Sequence, residues 1–112
     1  WAGFSTWKAS ISVAGDKDWF KFSAQAGQSV ALQVHSVDDP GNCPFDSQIF
    51  LIDGAGTVIA TDDDDGIGLC SLINPGLDMA ATNLAAGPYY VRVERVGNAL
   101  VGGPYQVDVT VQ

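Results

Sequence analysis

The last stretch of the chain alternates strictly. Tyr105, Val107, Val109 and Val111 are apolar, while Gln106, Asp108, Thr110 and Gln112 between and after them are polar. A period of two sends successive side chains to opposite faces of a strand, one face against a core and the other in water. The pattern recurs in Phe20, Phe22 and Ala24 against Trp19, Lys21 and Ser23, and in Val30, Leu32 and Val34 against Ser29, Ala31, Gln33 and His35. It returns in Tyr89, Val91 and Val93 against Tyr90, Arg92 and Glu94, and in a short form in Ile11 and Val13 against Ser10 and Ser12. Ile49, Phe50, Leu51 and Ile52 are apolar on both faces, which predicts a central strand. Asp53-Gly54-Ala55-Gly56 then turns the chain into Val58, Ile59 and Ala60 as a hairpin. Leu77 to Thr82 is a weaker strand candidate or a short helical turn. Thirteen glycines and only six Lys, Arg and Glu residues oppose long helices. About eight strands separated by turn signals predict an antiparallel sandwich or barrel.

With 112 residues the chain holds one domain and one core. Residues 1–9 read as a lead-in segment and residues 10–112 as the domain. Since it starts at Trp1 rather than Met and shows no basic-then-apolar leader, the chain is expected to be a mature or excised piece of something longer. No apolar run is long enough for a membrane-spanning helix. Thirteen acidic residues against five basic ones give a net charge of −8. That field disfavours nucleic acid and anionic membrane surfaces as partners and favours cations.

Cys43 and Cys70 lie in predicted loops, outside any CxxC pair, and a single histidine cannot complete a tetrahedral zinc site. A disulfide is a better account than two buried free thiols, and it implies a secreted, periplasmic or surface-displayed chain. Asp62, Asp63, Asp64 and Asp65 form an unbroken acidic run. Calcium suits such hard oxygen donors, and Asp46 or Asp78 could add ligands; the alternative is a plain solubilising loop. Asp16 and Asp18 form a second acidic pair at a strand entrance, explained equally well by turn chemistry.

Chemistry finds little support. His35, the one available base, is expected on the outward face beside Gln33, and neither a phosphate loop nor a nucleophile elbow is present. The carboxylates sit among like charges, with no sign of the apolar pocket that a glycosidase acid needs. The chain therefore reads as non-catalytic. What remains is surface. Trp19 and Tyr90 are aromatics expected to face outward, with Lys21, Arg92 and His35 among their polar neighbours. Such a face suits a sugar ring or an extended peptide, unless Trp1, Phe4 or Trp7 covers it.

Gly15-Asp16-Lys17-Asp18-Trp19-Phe20-Lys21-Phe22, then Ala26-Gly27-Gln28-Ser29-Val30, resembles the opening of bacterial pre-peptidase C-terminal domains. Asp46 leading into Ile49-Phe50-Leu51, Gly56 to Ala60 followed by acids, Leu84 to Val93 and Gly103 to Val107 extend the likeness over about residues 10 to 111. The resemblance implies a jelly-roll-like β-sandwich of about eight strands, a non-catalytic accessory of exported hydrolases. It implies attachment of a parent catalytic domain to an insoluble substrate, as in the related collagen-binding domains of bacterial collagenases. Several of those bind calcium partly through acids at the strand entrance, which Asp18 and, less fully, Asp16 match. The linker acids of those relatives have no counterpart between Trp1 and Ser10, which moves the preferred calcium site to Asp62–Asp65. The expected function is thus a secreted accessory domain holding collagen-like protein or polysaccharide near its enzyme. A carbohydrate-binding module proper, or a secretion, maturation or folding segment with no ligand, are the alternatives.

Overall fold

The computed structural model describes residues 3–13, 15–63, 66, 68, 70–76, 78–96 and 103–112. Among them eight strands run in chain order: β1 Gly3–Ile11, β2 Lys17–Ala24, β3 Val30–His35, β4 Ser47–Asp53, β5 Val58–Asp62, β6 Leu72–Ile73, β7 Gly87–Arg95 and β8 Gly103–Val111. They form two four-stranded antiparallel sheets in the orders β1-β8-β3-β6 and β2-β7-β4-β5. The expected all-β sandwich is the observed fold. The longer alternating segments send their apolar sets inward: Val30, Leu32, Val34, Val107, Val109 and Val111 from one sheet meet Ile49, Leu51, Val91 and Val93 from the other, all nearly or wholly buried. Their burial is the dominant stabilising term. The short Ile11–Val13 pattern does not hold as a strand: Ile11 is the buried last residue of β1, and Val13 beyond it is exposed.

The lead-in expected at residues 1–9 is a strand instead over its described part. Gly3 through Ile11 pairs residue by residue with β8, from Gly3 opposite Val111 to Ile11 opposite Gly103. The segment shows no clean alternation because the inward positions of an edge strand need little bulk: Ser5 and Ala9 suffice there beside Trp7 and Ile11. Trp7 is not a lid over Trp19; it stacks on Phe20 at 4.8 Å between ring centroids and seals the side of the sandwich where β1 and β2 are edges. Phe4 stands exposed, and Trp1 lies outside the described residues. All three lysines of the chain, Lys8, Lys17 and Lys21, fall on these two edge strands. Charge there discourages edge-to-edge pairing with another chain.

The β4–β5 hairpin forms at the expected turn. Asp53 accepts hydrogen bonds from the backbone N–H groups of Ala55 and Thr57 at 3.0 and 2.9 Å, and Gly56 takes φ +89°, a left-handed conformation that side chains disfavour. Met79–Ala81 is a 3-10 turn rather than a strand. The eighth strand is β6, whose two residues are too few to show any period.

The opposite side of the sandwich is closed by different means. Cys43 and Cys70 form the expected disulfide, with Cα atoms 5.6 Å apart. Beside it Ser47 and Ser71, both fully buried, join the two sheets: the Ser71 N–H donates to Ser47 Oγ at 3.1 Å and the Ser71 hydroxyl to the Ser47 carbonyl at 2.9 Å. Tyr105 reaches across the layers as well. Its hydroxyl donates to Asp18 Oδ2 at 2.6 Å, and its ring meets Phe45 edge-on.

Candidate functional site

The outward positions of β2, β7, β4 and β5 lie in rows set by the register. Trp19 is opposite Arg92, Arg92 opposite Phe50, and Phe50 opposite Thr61. The neighbouring row runs Lys21, Tyr90, Ile52. Four of the five residues expected at the contact surface, Trp19, Lys21, Tyr90 and Arg92, are therefore brought together on one sheet face. Trp19 is 55% exposed, so nothing covers it. The Arg92 guanidinium lies over the Phe50 ring at 4.1 Å and faces the Trp19 ring at 5.4 Å, while Lys21 Nζ stands 5.9 Å from the centre of Tyr90. Cations over ring faces at these distances are attracted by the ring quadrupole, about 0.5–1 kcal/mol each where exposed. Arg92 Nε and Glu94 Oε2 approach to 3.2 Å without the alignment of a hydrogen bond. A groove of about 430 Å³ opens beside this row, lined by Trp19, Ile52, Val58, Tyr90, Arg92 and the turn at residues 54–56.

Phe50 is the member that sequence reasoning missed. Its outward position followed from the alternation of β4, but a strand apolar on both faces read as covered twice. What covers it is the Arg92 side chain.

His35 does not belong to this face. It sits in the other sheet and is 1% exposed, whereas its alternation placed it in solvent. The side chain does point away from the core, in a row with Gln106 and Lys8. Residues 36–42 fold over it. Its Nε2 lies 2.6 Å from Asp108 Oδ2 and its Nδ1 2.7 Å from the Ser36 carbonyl. The covering loop is held by the Asp38 N–H donating to Gln106 Oε1 at 3.0 Å and by a Lys8–Asp38 ion pair at 2.9 Å. With both ring nitrogens committed and water excluded, His35 is a strut for a loop. His35→Ala is expected to cost about 1–3 kcal/mol, the penalty of leaving Asp108 Oδ2 and the Ser36 carbonyl without their imidazole partner while Asp108 Oδ1 keeps the Gln106 amide, and to speed amide exchange across residues 36–42. Unchanged exchange there would show that the loop holds itself.

Among the described residues the candidate metal ligands are spread out. The Asp18 carboxylate is bound by the Tyr105 hydroxyl, Asp62 Oδ2 accepts the Leu72 N–H at 2.8 Å, and Asp78 Oδ2 accepts the Asn74 N–H at 3.2 Å. Asp16 caps its own turn by accepting the Lys17 N–H. Asp46 is half-buried before β4, Asp63 is exposed, and Asp64 and Asp65 lie outside the described residues. Among the described residues no three His, Cys, Asp or Glu side chains converge as a cation site would require. Asp18, Asp46, Asp62, Asp63 and Asp78 thus do not gather into one cation site among the described residues.

Residues 16–95 match the sequence pattern of the bacterial pre-peptidase C-terminal (PPC) domain. The chain belongs to that family. A search of curated proteins finds no match by sequence. Among solved structures, this PPC domain is similar to the PPC domain of the Bacillus anthracis collagenase at 15% identity and a TM-score of 0.60, over 96% of this chain and 88% of that one. It is similar also to Aeromonas hydrophila PliG, a periplasmic inhibitor of g-type lysozyme, at 16% identity and a TM-score of 0.68, over 99% and 88% of the two chains. The Yersinia pseudotuberculosis-derived mitogen shares 13% identity with a TM-score of 0.58, over 97% and 86%. At these identities the likeness concerns the fold. PPC domains are small non-catalytic domains associated with secreted proteases and collagenases. The disulfide fits an extracytoplasmic location, and among the described residues no helix is long and apolar enough to cross a membrane.

Proposed function

We propose that this PPC domain is a non-catalytic accessory domain of a secreted bacterial hydrolase, holding an insoluble protein or polysaccharide near the parent enzyme. The contact runs through the outer face of the β2-β7-β4-β5 sheet. The observation that carries this reading is the row of Trp19, Arg92 and Phe50 with Tyr90 and Lys21 beside it. An exposed tryptophan braced by an arginine, next to an apolar groove, is the composition of an interface centre. The rigid sheet beneath fixes these side chains before any ligand arrives, which lowers the ordering cost of binding.

Trp19→Ala is the direct test, by co-sedimentation with insoluble collagen, cellulose and chitin. Truncating a central tryptophan is expected to weaken binding more than about tenfold. The exposed position keeps the effect on stability within about 0.5 kcal/mol. Full binding by the variant would place the contact elsewhere. Capture on polysaccharide alone would make the domain a carbohydrate-binding module, and capture on nothing would favour a folding, secretion or maturation role.

A further inference from the structure

The charge on the proposed face runs against the charge of the chain. At the outward positions of its four strands the charged residues are Lys17, Lys21 and Arg92 with Glu94, a local excess of two positive charges on a chain of net charge −8. The positive groups are also layered over the aromatics: Arg92 lies on Phe50 and against Trp19, and Lys21 stands over Tyr90. A sugar ring stacking on Phe50 or Tyr90 would first have to displace a cation, and Trp19 keeps an open side beside Arg92. An anion would instead meet the cations where they are. Arg92 is suited to this, since its two neighbours hold the guanidinium plane in place, and among the described residues no acceptor meets its Nη atoms. A fixed planar fork of that kind matches a carboxylate. The adjoining groove adds aliphatic walls from Ile52 and Val58, which reward an apolar side chain more than a hydroxylated ring.

We propose that this face takes an extended, acidic segment of a protein, with a carboxylate side chain on Arg92 and Lys21 and an apolar side chain in the groove between Trp19 and Val58. The proposal rests on the reading of this face as the docking surface and narrows it to one partner chemistry. Charge complementarity carries the choice. The negative charge of the rest of the chain repels an acidic segment everywhere else and so orients it on this face.

The test uses an immobilised glutamate–tyrosine copolymer, with polygalacturonate as the acidic polysaccharide and cellulose as the neutral one. The intact domain is expected to be captured by the copolymer at about 20 mM salt and released as salt rises to about 0.5 M, where the screening length falls to about 4 Å. Lys21→Gln is expected to weaken capture about two- to fivefold, the range of an exposed charge contact, and Lys21→Glu further, with unchanged melting temperature. Lys8→Gln, on the other sheet, leaves capture as it was. Tighter capture by polygalacturonate than by the copolymer would overturn the protein assignment in favour of an acidic polysaccharide. Binding to insoluble polymer that Trp19→Ala abolishes, but that neither salt nor Lys21→Glu alters, would overturn the acidic partner and leave the docking face standing. Insensitivity to all three would remove the face itself.

Discussion

Reducing the Cys43–Cys70 disulfide lowers the melting temperature by roughly 10–15 °C. The bridge spans 27 positions, and closing a loop of that length in the unfolded chain is worth about 3.5 kcal/mol in the loop-entropy account. A domain of this size has roughly 5–15 kcal/mol in total and loses about 4 °C per kcal/mol. The location adds to the effect. The bridge ties the segment before β4 to the segment before β6, where β6 contributes only Leu72 and Ile73 to its sheet. Without the bridge, the buried Ser47–Ser71 contacts and the Asp62–Leu72 hydrogen bond are left to hold that side of the sandwich, and they depend on the segments staying close. Thermal melts with and without reductant, repeated on Cys43→Ala/Cys70→Ala, measure this. A shift under about 3 °C would mean that serine contacts and core packing suffice there.

Tyr105→Ala is expected to cost about 3–5 kcal/mol, the range for emptying the place of a large buried aromatic. Tyr105 is fully buried, packs edge-on against Phe45 at 5.8 Å, and bridges the sheets through its bond to Asp18. Tyr105→Phe keeps the ring and isolates the bond, at about 1–3 kcal/mol. The same residue shapes the alkaline limit. Burial, then the hydrogen bond to Asp18 and the negative charges of Asp18 and Asp16, push the Tyr105 phenol far above its ordinary value of 10.0. The unfolded phenol therefore loses its proton above about pH 10 while the folded one keeps it. Stability from this group is fully present below pH 10 and falls above it by about 1.4 kcal/mol per pH unit. Urea melts between pH 9 and pH 11, both values being about where that loss begins and becomes plain, should show the decline in the wild type and a shallower one in Tyr105→Phe. Equal slopes would place the alkaline sensitivity in other groups.

How much of this was legible beforehand depended on the length of each signal. Tyr105 through Val111 and Tyr89 through Glu94 repeat their period often enough to state both the strand and its face, and the structure agrees. From the same periodicity Trp19, Tyr90 and Arg92 could be assigned to one side of their strands before any register was known. Two elements left no such trace. β1 carries serine and alanine at inward positions, because an edge strand lies beside a half-open seam. β6 is two residues long, placed by Asp62 accepting the Leu72 N–H and by the Val34 N–H donating to the Ser71 carbonyl. Those partners are distant in sequence, and no local pattern encodes them.

His35 marks the boundary between the two kinds of knowledge. Alternation correctly directed its side chain away from the core, since the geometry of a strand is local and repeats every two residues. Whether that direction ends in solvent is not a local property. It was decided when residues 36–42 closed over the ring, held by Asp38 against Gln106 and Lys8. The sequence by itself thus determined the β-sandwich, the facing of its long strands and the pairing of its two cysteines. Tertiary structure alone decided which outward faces stay open, because covering a face takes a second segment from elsewhere in the chain. It also laid Arg92 between Trp19 and Phe50, residues that meet only when three strands are in register.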